Sequence, residues 1–301
     1  MNCKPLVTIV TVTKNLYIAG RDEFFRQCVA SVKEQDYPCI EHLIIDGGST
    51  DNSLSLFEEL GLQYYSEKDS GVYEAFNKGI KLAKGKYIAF LNSDDFYISN
   101  QAVSKSVEAL EEKQADFSYA YFNIVDLNGS FIKNIAPNWK ECFVKQPIGH
   151  PTMFSTKAML KELKGFDTSY KITGDFDLIT RAILAGKRPV GVDATISAFR
   201  EGGISNIQKD ILNTENIRVI ATNLKISPRK AEKAFRFAFL PKKILLNLLD
   251  RTVDFPDKEL LLKNHFRRFV RYIRKQIISI RFRKGKRHVV LLGFTLYNGE
   301  N

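Results

Sequence analysis

Two carboxylates stand side by side at Asp94 and Asp95, separated only by Asn92-Ser93 from the apolar run Tyr87-Ile-Ala-Phe-Leu91. Such a run reads as a strand buried on both faces. Adjacent aspartates at its carboxyl end repel each other and lose hydration, so something must compensate. A divalent cation with oxygen ligands would do so, and so would a turn in which the pair caps a helix starting near Asn100. In open α/β sheets, ligands sit beyond the carboxyl ends of the strands, which is where this pair falls. No other cluster competes with it. The four cysteines (Cys3, Cys28, Cys39, Cys142) form no Cys-x-x-Cys pair, and His42, His150, His265 and His288 are dispersed. That pattern argues against zinc and suggests free thiols in a reducing cytoplasm.

The elements that must carry the pair are legible from periodicity. Val7 to Val12 reads as the first strand and Asp22 to Gln35 as an amphipathic helix. His42 to Asp46 is a second strand, followed by the tight turn Gly47-Gly48-Ser49-Thr50-Asp51 and a helix carrying Leu54, Leu56, Phe57 and Leu60. Gln63 to Ser66 is a short strand, and Val72 to Ala83 a helix that Gly85 breaks before Tyr87. This alternation predicts a parallel sheet with helices on both faces, a nucleotide-binding half-fold. The glycine turn is neither a dinucleotide fingerprint nor a Walker loop. Beyond Asp95 the expected elements are a helix over Val103 to Lys113 and a hairpin of Phe117 to Val125 with Ser130 to Ile135. Then come a loop over Trp139 to Pro147 and helices over Thr156 to Leu163 and Asp175 to Ala185. Short strands are expected over Arg188 to Val192 and Thr195 to Phe199, then a Gly202-Gly203 loop, with helix from there to about Ile280.

The chain has 301 residues, 44% of them hydrophobic, and a net charge of +11. That is enough for one large domain plus an appendage. No stretch approaches the roughly twenty apolar residues of a membrane span, and no signal-peptide pattern is expected at the start. Between Lys225 and Arg287 lie 20 of the 45 Lys and Arg but only 5 of the 34 Asp and Glu. The rest of the chain is mildly acidic. Such asymmetry points to a polyanionic partner for the back of the chain, membrane or nucleic acid. Leu262, Phe266, Phe269, Val270, Ile273, Ile277 and Ile280 fall on one helical face, with Arg267, Arg268, Arg271, Arg274 and Lys275 on the other. This resembles an interfacial helix on anionic lipid; docking on the body of the protein is the alternative. No nucleic-acid motif accompanies the charge.

Several motifs fall in the order of one family. They are Val7-Thr-Ile-Val-Thr-Val-Thr-Lys-Asn15, Ile45-Asp-Gly-Gly-Ser-Thr-Asp51, Ser66-Glu-Lys-Asp-Ser-Gly-Val-Tyr73, Phe76-Asn-Lys-Gly-Ile80 and Phe90-Leu-Asn-Ser-Asp-Asp95. Gly149-His-Pro-Thr-Met-Phe154, Gly165-Phe-Asp167, Gly174-Asp-Phe-Asp-Leu178 and Gly202-Gly-Ile-Ser205 follow. Together they resemble the family 2 glycosyltransferases, inverting enzymes of the GT-A fold, in the bacterial branch that builds O-antigen, capsule and exopolysaccharide. The resemblance implies an α/β, Rossmann-like mixed sheet flanked by helices over residues 1–206, with a basic, mainly helical region over 207–301.

It also implies roles. Thr13 stands where the family holds the uridine base, Asp46 where a carboxylate contacts uracil or ribose, and Asp69 and Lys78 where the nucleotide pocket is lined. Asn92-Ser93-Asp94 occupies the Asp-x-Asp element, with the amide Asn92 in place of its first carboxylate. Asp94, with Asp95 second, would hold Mn²⁺ or Mg²⁺. Asp175 aligns with the catalytic base, its structural alternative being a helix N-cap. Gly174 replaces the family's preceding glutamate, which would leave room for an acceptor sugar and make Asp177 a possible helper. His150 would line the acceptor pocket or be structural. Arg200 and the Gly202-Gly203 loop would close over the pyrophosphate or be an ordinary connection. Tyr73 and Trp139 would stack on sugars or fill core.

A nucleotide-sugar donor and a sugar on undecaprenyl diphosphate are the implied substrates, met at the inner face of the cell membrane by a cytoplasmic, peripheral protein. Trp139 is the only tryptophan, so the Gln-x-x-Arg-Trp motif of the processive synthases is missing and one sugar per acceptor is expected. A metal-dependent nucleotidyltransferase would use a similar sheet, but it wants a glycine-rich basic loop where Thr13-Lys14-Asn15 stands. A non-catalytic polyanion-binding protein is the third reading.

Overall fold

The computed structural model describes residues 4–203, 208–237, 279–283, 286–291 and 294–299. The strands β1 (Val7–Thr13), β2 (Ile40–Asp46), β3 (Gln63–Ser66) and β4 (Tyr87–Phe90) alternate with helices α1 (Asp22–Lys33), α2 (Ser53–Glu59) and α3 (Val72–Leu82). They form the expected parallel half-sheet in the order β3-β2-β1-β4. The strand order reverses at β1, so a crevice opens past the carboxyl ends of β1 and β4. Thr13 closes β1 there, and Asn92 to Asp95 follow β4.

The second half makes the sheet mixed. Further strands are β5 (Phe96–Tyr97), β6 (Phe117–Val125), β7 (Phe131–Ile135), β8 (Phe154–Thr156) and β9 (Pro189–Arg200), with helices α4 (Ala102–Lys113), α5 (Lys157–Glu162) and α6 (Gly174–Leu184). β8 lies antiparallel between β4 and β6, and β6 runs parallel to β9. The hairpin of β6 with β7 forms as expected around Asp126 to Gly129. The two short strands expected after Arg188 are one strand, because irregular register opposite Ala120 to Phe122 absorbs the interruption at Asp193-Ala194. The expected loop after Trp139 is a 3₁₀ turn, Trp139–Glu141, leading into the buried residues Cys142, Phe143 and Val144. Trp139 is buried with them, so core is its role.

The helices α7 (Lys209–Leu224) and α8 (Pro228–Phe237) pack Val219, Ile220, Leu224, Ala231 and Ala234 into the core that holds Phe76, Phe90, Phe176 and Ile179. Residues on both sides of position 206 thus contribute to one hydrophobic cluster. The expectation of helix up to Ile280 is corrected at its end. Ser279–Arg283, Lys286–Leu291 and Phe294–Gly299 are strands of a separate antiparallel sheet. The period-two alternation Ile280-Arg281-Phe282-Arg283 fits the first of these strands. The apolar stripe from Leu262 to Ile277 lies outside the described residues. No helix among the described residues is long and apolar enough to cross a membrane.

One pH effect follows from β2. His42 is half-buried with Nε2 3.0 Å from Thr11 Oγ1, and burial, aided by Lys33, lowers its pKa to about 4. The unfolded chain takes up this proton near the ordinary value of about 6.5. Stability is therefore complete above that value and is lost as pH falls from there towards about 4. Urea midpoints at pH 7.5 and pH 5 should differ less for His42→Gln than for the unaltered chain. An equal drop in both proteins would show that His42 does not carry the effect.

Candidate active site

A cleft of about 880 Å³ lies at the strand-order reversal. On one side it is lined by Thr13, Lys14, Arg21, Asp69, Asn92 and Asp94, and on the other by His150, Gln146, Lys171 and Asp175. Its floor is aromatic. Phe76 packs on Phe90 at 4.6 Å, and Phe166 stacks on Tyr73 at 5.4 Å, which fixes the elements beneath the polar groups.

The carboxylate pair sits where β4 ends, because the strand's apolar run stops there and a turn (Asp95 N–H to Asn92 O) begins. Asp94 faces the cleft, and its Oδ2 accepts from Arg21 Nη1 at 2.8 Å. Asp95 is buried, only 1% exposed, and accepts from the Arg200 backbone N–H at 3.1 Å and from Asn92 Nδ2 at 3.2 Å. Burial and the neighbouring Asp94 charge push its pKa up to about 7, against the pull of His150. Asp95 is thus held in a buried setting that disfavours its ionised form, while Asp94 is paired with Arg21.

The second acidic station lies across one imidazole. His150 Nε2 is 2.9 Å from Asn92 Nδ2 and 4.0 Å from Asp95 Oδ2, while its Nδ1 is 3.6 Å from Asp175 Oδ2. Burial alone would lower the His150 pKa, but Asp175 above all, then Asp95 and Asp94, raise it on balance. Asp175 is the second residue of α6. Its Oδ1 accepts from the Phe176 N–H at 2.8 Å and its Oδ2 from Gln146 Nε2 at 2.7 Å. The N-cap position of α6 belongs to Thr173, so Asp175 stands in the first helical turn with its carboxylate in the cleft wall. His150 itself is held by the 3₁₀ turn His150–Thr152.

Other expected residues take different places. Thr13 lines the cleft and donates to Asp46 Oδ1 at 3.2 Å. Asp46 is fully buried and does not line the cleft. Its carboxylate accepts from Gly48 N, Ser49 N, Ser49 Oγ and Ser66 Oγ, so it shapes the turn and leaves no oxygen free for a nucleotide. Asp69 does line the cleft; burial raises its pKa against the pull of Lys14 and Lys78. Lys78 is turned away, bonded to Lys68 O at 2.9 Å and to the Glu67 carboxylate at 2.9 Å, so it braces that loop. Asp177 is buried and bonded to Arg181 at 2.7 Å and Asn223 at 2.8 Å, too fully engaged to assist Asp175.

Arg200 reaches the cleft wall but is 3% exposed. Its guanidinium donates to Asp94 O, Leu127 O and Gln27 Oε1 and packs 4.1 Å from the Phe24 ring. A side chain tied at so many points is a brace rather than a lid. Residues 204–207 of the adjoining loop lie outside the described residues. The room expected at Gly174 is filled, since a Cβ there would meet the Tyr73 ring at 2.8 Å. Arg21, Lys14 and Gln146 were not picked out by sequence reasoning. They stand in loops with no periodicity, and only their meeting in space identifies them.

Residues 8–165 match the model of the glycosyl transferase family 2. An uncharacterized glycosyltransferase of Mycobacterium tuberculosis (strain H37Rv) is 30% identical over 68% of this chain and 79% of its own. Among solved structures, Staphylococcus aureus TarS 1-349 in complex with UDP-GlcNAc superposes with a TM-score of 0.59 at 15% identity, covering 98% of this chain and 100% of that one. The mannosyltransferase PcManGT of Pyrobaculum calidifontis, in complex with GDP-Man and Mn²⁺, superposes with a TM-score of 0.59 at 16% identity over 87% and 75%.

Proposed function

Since the chain belongs to glycosyl transferase family 2 and is a glycosyltransferase, we propose that it is an inverting, metal-dependent, non-processive hexosyltransferase. It moves one sugar from a nucleotide-diphosphate sugar, with UDP as the nucleotide, to a lipid-linked glycan acceptor in cell-surface polysaccharide synthesis. The observation that carries this reading is that Asp94 and Asp175 line one cleft, with the His150 imidazole standing between Asp175 and the buried Asp95 beside Asp94. Transfer with inversion needs a leaving diphosphate on one side of the anomeric carbon and a base for the attacking hydroxyl on the other.

The donor set fits a divalent cation. Adjacent carboxylates at the end of β4 supply oxygen ligands, and Asp94 presents its carboxylate to the cleft. Among the described residues no third His, Cys, Asp or Glu completes a cluster. That composition suits Mg²⁺ or Mn²⁺, which take their remaining ligands from water and substrate phosphates. Asp94, with Asp95 behind it, would hold the ion, and when bound it neutralises charge on the departing diphosphate. Lys14, Arg21 and Lys171 add positive charge to the cleft wall. Thr13, Asp69 and Asn92 present polar groups to the nucleotide side. Asp175 takes the acceptor's proton, oriented by Gln146 and the Phe176 N–H. The protein works at the cytoplasmic membrane face, where a lipid-linked acceptor is presented.

The test is to incubate the full chain with Mn²⁺, a panel of UDP- and GDP-sugars, and lipid extract of the producing cells. Nucleoside diphosphate release with sugar entering the lipid fraction, in opposite anomeric configuration, is the expected result. Pyrophosphate release instead would identify a nucleotidyltransferase, and no turnover with any donor would leave only a binding protein.

A further inference from the structure

The helix α7 lies beyond the span matched by the family model, yet it forms part of the cleft wall through Leu212 and Asn216. It is fastened there by Glu215, which is buried. The Glu215 carboxylate accepts from the backbone N–H groups of Lys171, Ile172 and Thr173 at 2.8, 2.9 and 3.1 Å. Those residues lead directly into the N-terminus of α6 and Asp175. So the same helix turn that positions the base's loop also places the next residue, Asn216, in the cleft.

Asn216 is only 6% exposed, and its Oδ1 has no hydrogen-bond partner. On the same wall Gln146 is in the same condition. Its Nε2 is engaged with Asp175 and with Ile148 O, while its Oε1 is buried without a partner. A buried amide oxygen left unpaired costs folding free energy that an apolar side chain of equal size would not. Two of them in the wall of one cleft, one attached to the base itself, ask for a ligand that brings hydroxyl donors. A sugar is such a ligand.

We propose that Asn216 and Gln146 form the acceptor subsite, each accepting a hydrogen bond from a hydroxyl of the acceptor sugar beside Asp175. The proposal rests on the transferase reading above and adds to it the residues that select the acceptor. Gln146 has a second role as a positioning residue for Asp175, so Asn216 gives the cleaner test.

Asn216→Leu is nearly isosteric and removes the orphaned amide. It should raise the melting temperature by about 2–4 °C. In the same protein, the amount of lipid extract needed for half-maximal transfer should rise about tenfold, with the donor's half-saturating concentration unmoved. Asn216→Ala, which asks nothing of the packing, should show the same loss of acceptor affinity. A purely structural asparagine gives the opposite pattern, with a lower melting temperature and unchanged acceptor saturation, and that result overturns the proposal. So does a parallel rise in donor and acceptor half-saturation. If the unaltered chain transfers no sugar to the extract, the transferase reading fails and takes this one with it. A failure confined to the Asn216 variants sinks the acceptor subsite alone.

Discussion

Asp175→Asn is expected to slow transfer by roughly 10³-fold, within the range for loss of a positioned general base, and to leave the fold intact. The substitution keeps the shape of the side chain and one oxygen for the Phe176 N–H, which now donates at 2.8 Å. What it removes is the capacity to accept a proton from an attacking hydroxyl. Donor affinity should hold, because Asp175 lies on the far side of His150 from the carboxylate pair. The measurement is turnover at saturating donor and acceptor, with the melting temperature recorded alongside. A loss under tenfold would mean that Asp175 is not the base and that the proton goes elsewhere.

Asp94→Asn should cost about 10²- to 10³-fold in turnover, the scale of losing one electrostatic contact to a developing charge. It should also abolish any stabilisation that Mn²⁺ and UDP confer together. The amide keeps an oxygen that can accept from Arg21, which bonds Asp94 at 2.8 Å, so the loop should not collapse. The buried Asp95 would lose a repelling neighbour. The expected signature is therefore a protein at least as stable as the parent without added ions, but indifferent to Mn²⁺ with UDP in a thermal shift assay. Retention of that Mn²⁺ response would move the cation away from Asp94.

The parallel half-sheet was legible because β1, β2 and β4 are short apolar runs closed by polar turns, and each helix between the strands shows one apolar face. The carboxylate pair was legible for the same reason, since the end of β4 is visible as the place where Leu91 gives way to Asn92. What stayed hidden depends on contacts between distant segments. Asp46 looks free in the sequence, yet Ser66 and the Gly48–Ser49 turn use up its oxygens. Arg200 looks like a mobile cation before a glycine pair, yet Gln27, Leu127 and Asp94 converge on it from three directions. Lys78 and Asp177 likewise have partners on other loops and helices. Asn216 carried no signal, because an isolated asparagine in a helix is ordinary until its neighbours are known.

The Tyr73 ring standing over Gly174 constrains how this chain can change. Its hydroxyl is bonded to Ile172 O at 2.5 Å and its ring occupies the volume a side chain at position 174 would need. A glutamate introduced at position 174 would therefore force the Tyr73 ring to shift. That shift disturbs the phenol's grip on the loop. The two positions are thus coupled through one contact, so a change at either is felt at the other.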